Sequence, residues 1–183
     1  MRRLPAARLA VQAGALTGAL ALSGCGLSLP FTSSKPAVPC PSAVILRPLA
    51  NTAIFTPGTE RRPDSVAFYG LLSEVDAKCA YEGGVVRETL DVVVIGERGP
   101  AAHSDSADFT YFVAVTGPGQ TVLSKKPFAV HIAIPPGQKR AGVTDHIEEA
   151  IPLGGHAGSD INIRLGFQQS PEVVNFYKNF RGR

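Results

Sequence analysis

The amino-acid sequence predicts an all-β protein, an immunoglobulin-like antiparallel β-sandwich with a short C-terminal helix. Three observations predict it. Apolar and polar residues alternate with period two in several segments. Turn residues separate these segments, since the 183 residues include 19 glycines and 15 prolines. About seven to nine short strands fit within residues 40–168, which is typical of one sandwich domain.

The strands follow from these patterns in chain order. Segment 65–81 ends at the tight-turn signal Glu82-Gly83-Gly84, and segment 85–97 returns from that turn. Residues 109–115 are apolar on both faces, as expected of a central strand. The strands predicted in this way are 40–47, 65–81, 85–97, 109–115, 128–134, 143–151 and 161–167. A closed barrel is the alternative arrangement.

Segment 143–151 has an ambiguous spacing. Val143, Ile147 and Ile151 recur every four residues, with Asp145 and Glu149 between them. This spacing fits either one face of a helix or a strand. The β-branched residues and the flanking glycine and proline favour an edge strand, where charges discourage unwanted strand pairing.

Residues 169–183 are predicted to form a C-terminal helix and tail. Ser170, Pro171 and Glu172 have the order of an N-cap, a first-position proline and a first-turn acid. An apolar stripe follows at helical spacing, and an isolated helix of this length is marginal in water, so the stripe should dock. Its target is either the sandwich itself or a partner or membrane surface. The stripe comprises Val173, Phe176, Tyr177 and Phe180.

Residues 1–24 are predicted to be a secretory signal. Three arginines are followed by the uncharged segment 9–24, which is shorter than the ~20 apolar residues of a membrane span. Leu22-Ser23-Gly24-Cys25 resembles the lipobox of bacterial lipoproteins. The resemblance implies cleavage between Gly24 and Cys25 and a diacylglyceryl thioether on Cys25. An ordinary signal with a coincidental cysteine is the alternative.

Residues 25–39 are predicted to be the lipidated cysteine and a flexible tether, because segment 26–39 is rich in proline and serine. Extended, it would span about 40 Å. The alternative is that Leu27, Leu29 and Phe31 dip into the membrane interface.

The basic charge of the chain belongs to its predicted signal. The whole chain has 18 basic and 15 acidic residues, for a net charge of +3. Arg2, Arg3 and Arg8 lie in residues 1–24, where there is no acid. The remaining chain is therefore formally neutral, which removes the support for binding nucleic acid or anionic lipid through net charge.

Cys40 and Cys79 are predicted to form a disulfide, because paired thiols in exported domains are usually oxidised. If both segments are extended, each cysteine shares an inward strand face with apolar residues. The two faces are Cys40, Val44 and Leu46, and Tyr69, Leu71, Val75, Ala77, Cys79 and Tyr81. Two free thiols or a metal site are the alternatives, but no CxxC or close Cys/His spacing supports a metal.

The order of several segments between Cys25 and Tyr177 resembles small envelope lipoproteins of alphaproteobacteria. These segments include CPSAVILRPLANTAIFTPG, DFTYFVAV and INIRLGFQQSPE. The resemblance brings no reaction, cofactor or ligand residue. The residue after Cys25 is Gly26, not Asp, which in enteric-type sorting implies the outer membrane and exposure to the periplasm.

The histidines His103, His131, His146 and His156 are predicted to be solvated. A hydrolytic triad needs a serine positioned beside a histidine and an acid, and no GxSxG elbow is present. Asp105 and Asp108 could bind Ca²⁺, but the EF-hand spacing and its closing Glu are missing. The sequence therefore predicts no catalytic residue, no cofactor and no metal.

The sequence favours a non-enzymatic envelope lipoprotein, anchored to a membrane by the lipid on Cys25. Its domain would bind another envelope component through a strand edge or the C-terminal helix. Two alternatives are a carrier of an apolar molecule in a cavity of the sandwich and, less favoured, a hydrolase. A carrier would need a continuous apolar cavity of at least ~300 Å³.

Overall fold

The structure is a computed structural model that describes residues 38–180. Two four-stranded sheets pack face to face, and one helix follows the last strand. The predicted β-sandwich with a short C-terminal helix is confirmed, immunoglobulin-like in its two largely antiparallel sheets, and no closed barrel forms. The predicted signal and most of the predicted tether lie outside the described residues.

The elements run in a simple order along the chain. Short 3₁₀ turns at Arg47–Leu49, Pro63–Ser65, Pro118–Gln120 and Gly158–Asp160 connect several of them. The regular elements are β1 (Ser42–Ile45), β2 (Asn51–Phe55), β3 (Val66–Glu82), β4 (Val85–Arg98), β5 (Ser106–Thr116), β6 (Val122–Ala133), β7 (Arg140–Pro152), β8 (Asn162–Phe167) and α1 (Pro171–Asn179).

Strand order gives the sandwich two unlike sides. One sheet has the order β1-β8-β5-β6 and the other β2-β3-β4-β7. β1 pairs with β8 in parallel, and all the other pairs are antiparallel. The long strands β6 and β7 are therefore edge strands on the same side of the sandwich. The edge-strand interpretation of segment 143–151 is confirmed, and its helical alternative is wrong.

The structure adds to the predicted strands. β2 was not predicted, because its five residues NTAIF are too few to show a period. β6 begins at Val122, six residues before the alternating segment 128–134. Residues 122–127 carry lysines, a proline and exposed apolar side chains, so nothing in their pattern indicates pairing. Hydrogen bonding to the apolar strand β5 is what makes them a strand.

A β-bulge in β3 divides that strand into two halves. Leu72 pairs with Val94 and Glu74 with Val93, so Ser73 is an extra residue. Because side chains alternate along a strand, one inserted residue moves the inward face from even to odd positions. Before the bulge the inward residues include Phe68 and Leu72; after it they are Val75, Ala77, Cys79 and Tyr81. The predicted inward face is thus right for 75–81 and wrong for Tyr69 and Leu71.

The core is filled by side chains from both sheets, and paired glycines make room for its aromatic centre. Phe109 on β5 lies over Gly70 and Gly96, which are neighbours across β3 and β4. A Cβ atom added at Gly70 would lie 2.7 Å from Phe109 Cε1, and one at Gly96 would lie 3.2 Å from Phe109 Cε2. These two positions accept the ring because they carry no side chain.

The helix α1 docks on the outer side of β2 and β3. Ser170 caps it as predicted, since its hydroxyl accepts the Val173 N–H at 3.4 Å. Val173 and Phe176 are buried, and the Phe176 ring lies edge-on to Phe55 with centroids 5.0 Å apart. The Tyr177 hydroxyl donates to the Thr52 carbonyl at 2.9 Å. The stripe therefore packs on its own domain.

Replacing Gly70 by Ala should lower the free energy of unfolding by about 1–3 kcal/mol, because the new methyl group overlaps Phe109 and Thr52 in a filled core. Gly142→Ala is the matched control, since a Cβ there has its nearest neighbour at 3.5 Å. Urea denaturation followed by circular dichroism measures both. Equal stability of the two variants would contradict the packing described here.

Candidate functional site

The predicted disulfide is present and links the two sheets. Cys40 precedes β1 and bonds to Cys79 of β3, with Cα atoms 5.8 Å apart. Next to it, the Tyr81 hydroxyl donates to the Pro39 carbonyl. The prediction of the pair is confirmed, and the metal and free-thiol alternatives are wrong for these cysteines. The point where residues 38–40 join the domain is therefore held covalently.

The predicted inward face of the first strand is wrong. Cys40 is exposed, and Val44 is 39% exposed. Ala43 and Ile45 pack against the core instead. The reason is that Cys40 lies before β1, whose parallel pairing with β8 sets which residues face inward.

The predicted site residues fall in three different places. Gly24 and Cys25, proposed for cleavage and lipidation, lie outside the described residues. The predicted partner surface is mostly covered, because Val173 and Phe176 are buried by the domain and Tyr177 is half-buried. Phe180 alone of that set is well exposed, at 46%. The prediction that this stripe is a surface for a partner is therefore wrong for Val173 and Phe176.

Two of the histidines pair with carboxylates on the outer faces of the sheets. His131 Nδ1 lies 2.7 Å from Asp108 Oδ1, and His146 Nδ1 lies 2.7 Å from Asp91 Oδ1. The hydrogen bond to Asp91 raises the pKa of His146, and the neighbouring carboxylates add to this effect. Within residues 38–180 neither ring hydrogen-bonds to a serine, so these pairs lack the nucleophile of a triad.

The acids considered for Ca²⁺ have other partners. Asp105 accepts from Arg98 at 2.6 Å, and Asp108 pairs with His131. Arg98 also donates to the carbonyls of Ser104 and Ile134, which ties two loops together. In the described part of the chain, no group of three or more His, Cys, Asp or Glu side chains has the geometry of a metal site.

The chemically distinctive site lies between the sheets, beside the edge strands β6 and β7. Lys126 Nζ on β6 donates to Glu149 Oε2 on β7 at 2.6 Å. The buried Tyr111 hydroxyl on β5 donates to Asp145 Oδ2 on β7 at 2.8 Å. Both contacts cross from one sheet to the other. We call these four residues and Glu88 the inter-sheet polar cluster.

Glu88 is the member of this cluster whose charged form is destabilised by burial. It faces inward from β4, is 1% exposed, and neither carboxyl oxygen has a hydrogen-bond partner among the described residues. Its direct neighbours across the sheet are Cys79 and Glu149. Burial penalises the charged form and raises the pKa of Glu88 to about 7. Glu88 is therefore a carboxyl group that titrates near neutral pH.

The polar cluster was not found from the sequence, although a signal was present. In segment 85–97 the inward positions are Val86, Glu88, Leu90, Val92 and Val94, so one acid interrupts an apolar face. The partners Lys126 and Glu149 come from strands that pack together only in the tertiary structure. Their pairing could not be read from local pattern.

Two open hollows lie on the surface. One, of about 390 Å³, lies among loops at the end of the sandwich opposite Cys40 and includes Glu60, Arg62, Asp64 and His103. The other, of about 440 Å³, lies along β3, β4 and β7, and its lining includes Glu88 and Glu149 of the polar cluster as well as Cys79, Arg87 and Glu148. Both open to solvent and are lined mainly by charged and polar residues, unlike the enclosed apolar cavities that bind small ligands.

Comparison of the chain with protein-family models, with curated proteins and with solved structures gives no match. Among residues 38–180, no helix is both long enough and apolar enough to cross a bilayer. Any statement about function therefore depends on the residues themselves.

Replacing both Cys40 and Cys79 by Ser should lower the free energy of unfolding by about 4 kcal/mol, if the disulfide acts by restricting the unfolded chain. The bond closes a loop with a sequence separation of 39. Denaturation in urea measures the effect, and Cys25→Ser is the control that should leave stability unchanged. Titration of two free thiols in the oxidised Cys25→Ser protein would disprove the bond.

Stability should fall as the pH rises from 5 to 8, since Glu88 has a pKa of about 7 when folded and an ordinary value of 4.5. The folded state holds the proton more tightly, so this stabilisation is complete below pH 4.5 and is lost as pH rises through 7. The total change is roughly 3 kcal/mol. Glu88→Gln should flatten this dependence and be more stable than the natural protein at pH 8.

The matched control for this pH effect is Glu97→Gln, at an exposed position of the same strand. Urea denaturation at several pH values provides the measurement. An unchanged slope in the Glu88→Gln protein would show that another group is responsible.

Proposed function

We propose that this chain is a lipid-anchored, non-enzymatic lipoprotein of the bacterial cell envelope, an accessory domain that binds another envelope component. In this proposal the lipid is on Cys25, and the domain faces the periplasm, with the outer membrane as its membrane. The observation that carries the proposal is the lipobox-like Leu22-Ser23-Gly24-Cys25, followed by a tether and a disulfide-bonded domain.

The disulfide supports export of the chain. Stable disulfides persist in oxidising compartments such as the periplasm and are rare in the cytosol. Its position also suits a tethered protein, because Cys40 directly follows the predicted tether, residues 25–39. A load arriving along the tether would pass through this bond into β3, the longest strand of the sandwich.

The polar groups of the domain support a binding role over catalysis. Catalytic sites gather perturbed groups in a cleft open to substrate. Here the perturbed carboxyl of Glu88 is buried between the sheets, and the two histidine–carboxylate pairs lie on opposite outer faces with no shared cleft. The hydrolase alternative therefore has little support.

The packing of the core weakens the carrier alternative. The space between the sheets is occupied by large side chains that are fully buried, among them Tyr111, Phe167 and Leu90. A bound apolar molecule would have to displace them. Of the two hollows, one lies among loops, and the other borders the inter-sheet space only at Cys79, Glu88 and Glu149, where two carboxyl groups do not suit an apolar ligand.

The edge strands β6 and β7 are the surfaces that fit a protein partner. Among residues 38–180 each pairs on one side only, with β5 and β4 respectively, so backbone groups on the other side can extend a sheet. The helix is a poorer candidate, because its apolar face is used within the domain. We therefore place partner binding on this side of the sandwich.

Replacing Cys25 by Ser should release the protein from the membrane fraction, because the lipid provides the anchor. The measurement is fractionation of envelopes together with intact-mass analysis, which should show acyl chains on the natural protein and none on the variant. Cys40→Ser with Cys79→Ser is the control, since it replaces the two disulfide-bonded cysteines but leaves Cys25. Membrane association that persists in the Cys25→Ser protein would disprove the anchor.

The binding part of the proposal is tested in the same envelopes by photo-crosslinking. A crosslinking residue at Thr144, exposed on β7, should give a reproducible adduct with another envelope component. The same residue at Gln138, in the loop before β7, is the control. Absence of any reproducible adduct along β6 and β7 would count against an accessory role.

A further inference from the structure

The residues that join the domain to its predicted tether lie at one defined end of the sandwich. Pro39 and Cys40 are held beside Tyr81 and Cys79, close to the end of β3. β3 turns there into β4 through Gly83. The β7–β8 loop lies at the same end, because the Leu153 amide donates to the Gly84 carbonyl. The β5–β6 turn lies there too, since Thr116 at the end of β5 pairs with Asn162, which also pairs with Ser42 at the start of β1. We call this the tether end.

The tether end has the most exposed apolar side chains of the domain. Val38 and Val122 are each 60% exposed, and Leu123 is 47% exposed. These are the three largest exposed fractions among the large apolar residues that the structure describes. Leu123 lies against the β5–β6 turn, because a Cβ at Gly117 would be 3.3 Å from its Cδ1. The apolar residues thus lie at the tip of the domain.

The charges near this tip suit a lipid surface. Segment 117–123 has no charged residue, and Lys125 follows it on the outer face of β6, with its Nζ 4.1 Å from the centre of the Phe112 ring. The acids at this end have partners: Glu82 binds Arg87 at 2.6 Å, and Asp160 accepts the Ala157 amide at 3.2 Å. The tip therefore presents apolar side chains beside a cation; of the two acids named, Glu82 is neutralised by Arg87, and Asp160, in the β7–β8 loop, keeps its charge.

We propose that the tether end, through Val38, Val122 and Leu123, rests on the phospholipid bilayer surface that holds the lipid. This inference rests on the proposed anchor at Cys25. Residues 26–37 separate that cysteine from Val38, and as the flexible tether that the sequence predicts they would span about 20 Å. So short a link keeps the tip at a high effective concentration over the bilayer, and weak apolar contacts then suffice.

This orientation has a consequence for the rest of the surface. With the tether end on the bilayer, the long edges of β6 and β7 would stand away from it and remain accessible along most of their length. The membrane contact and the proposed partner surface then use different parts of the domain.

The chain has no tryptophan, so a single introduced one reports on its own surroundings. The experiment uses the full lipidated protein with Leu123→Trp, reconstituted in phosphatidylcholine–phosphatidylglycerol vesicles with or without brominated acyl chains. We expect strong quenching by the brominated lipid and a blue-shifted emission. The control is His103→Trp, in an exposed loop at the opposite end, whose fluorescence should be unaffected. Val122→Trp is a second reporter in case the first disturbs folding.

Flotation of the vesicles separates the two proposals. Protein that fails to float overturns the anchor, and with it this inference. Protein that floats while Leu123→Trp and Val122→Trp are quenched no more than His103→Trp overturns the bilayer contact and leaves the anchor intact. A blue shift that depends on protein density and not on brominated lipid identifies a second copy of the chain as the occupant, which also overturns it.

Discussion

The rest of the structure depends on the residue inserted in β3 at Ser73. Because the inward face changes at Ser73, the first half of β3 can contact the helix on its outer side, and the second half can bond to Cys40 on its inner side. Before the bulge, Tyr69 is an outward residue that joins Ala53 and Val66 under the helix. After the bulge, Cys79 faces the other sheet and can reach Cys40. Without the shift, the disulfide and the helix contact could not both form on this strand.

The two sides of the sandwich are held by different chemistry. On the side of β1 the sheets are joined by a covalent bond, and on the side of β6 and β7 by hydrogen bonds between side chains. The Lys126–Glu149 ion pair contributes little net stability, because Lys126 is 58% exposed and solvent screens the pair while Glu149 loses hydration. The pairs Lys126–Glu149 and Tyr111–Asp145 are better understood as fixing which residues of the two edges face each other. Glu88, with no partner, destabilises the fold when it is charged.

These two sides also divide the proposed functions. The covalent side would receive the proposed tether, and a load on that tether would enter the domain through the disulfide. The opposite side has the free strand edges, whose inward acids and Lys126 discourage nonspecific strand addition. An anchored accessory domain needs both properties, a firm attachment and an edge that is selective for its partner.

The sequence alone determined the fold class, most strands, the disulfide and the cap of the helix, because each depends on local pattern or on the count of cysteines. Val130 and Ile132 alternate with Ala129, His131 and Ala133 whatever packs on them, and Ser170-Pro171 begins a helix by itself. It also supplied the lipobox hypothesis, which belongs to residues outside the described part of the chain. β2 and the start of β6 were not predicted, because only pairing with a neighbouring strand makes them strands.

Only the tertiary structure decided which side of each strand is buried and which polar residues meet. The bulge at Ser73 has no local signal, yet it reverses the faces of Tyr69 and Leu71. Glu88, Lys126 and Glu149 are far apart in the chain and become a cluster because β4 and β7 pair while β6 faces them from the other sheet. Helical spacing likewise predicted the apolar stripe containing Phe176 but not the surface on which it packs. That surface is built from residues more than a hundred positions away in the chain.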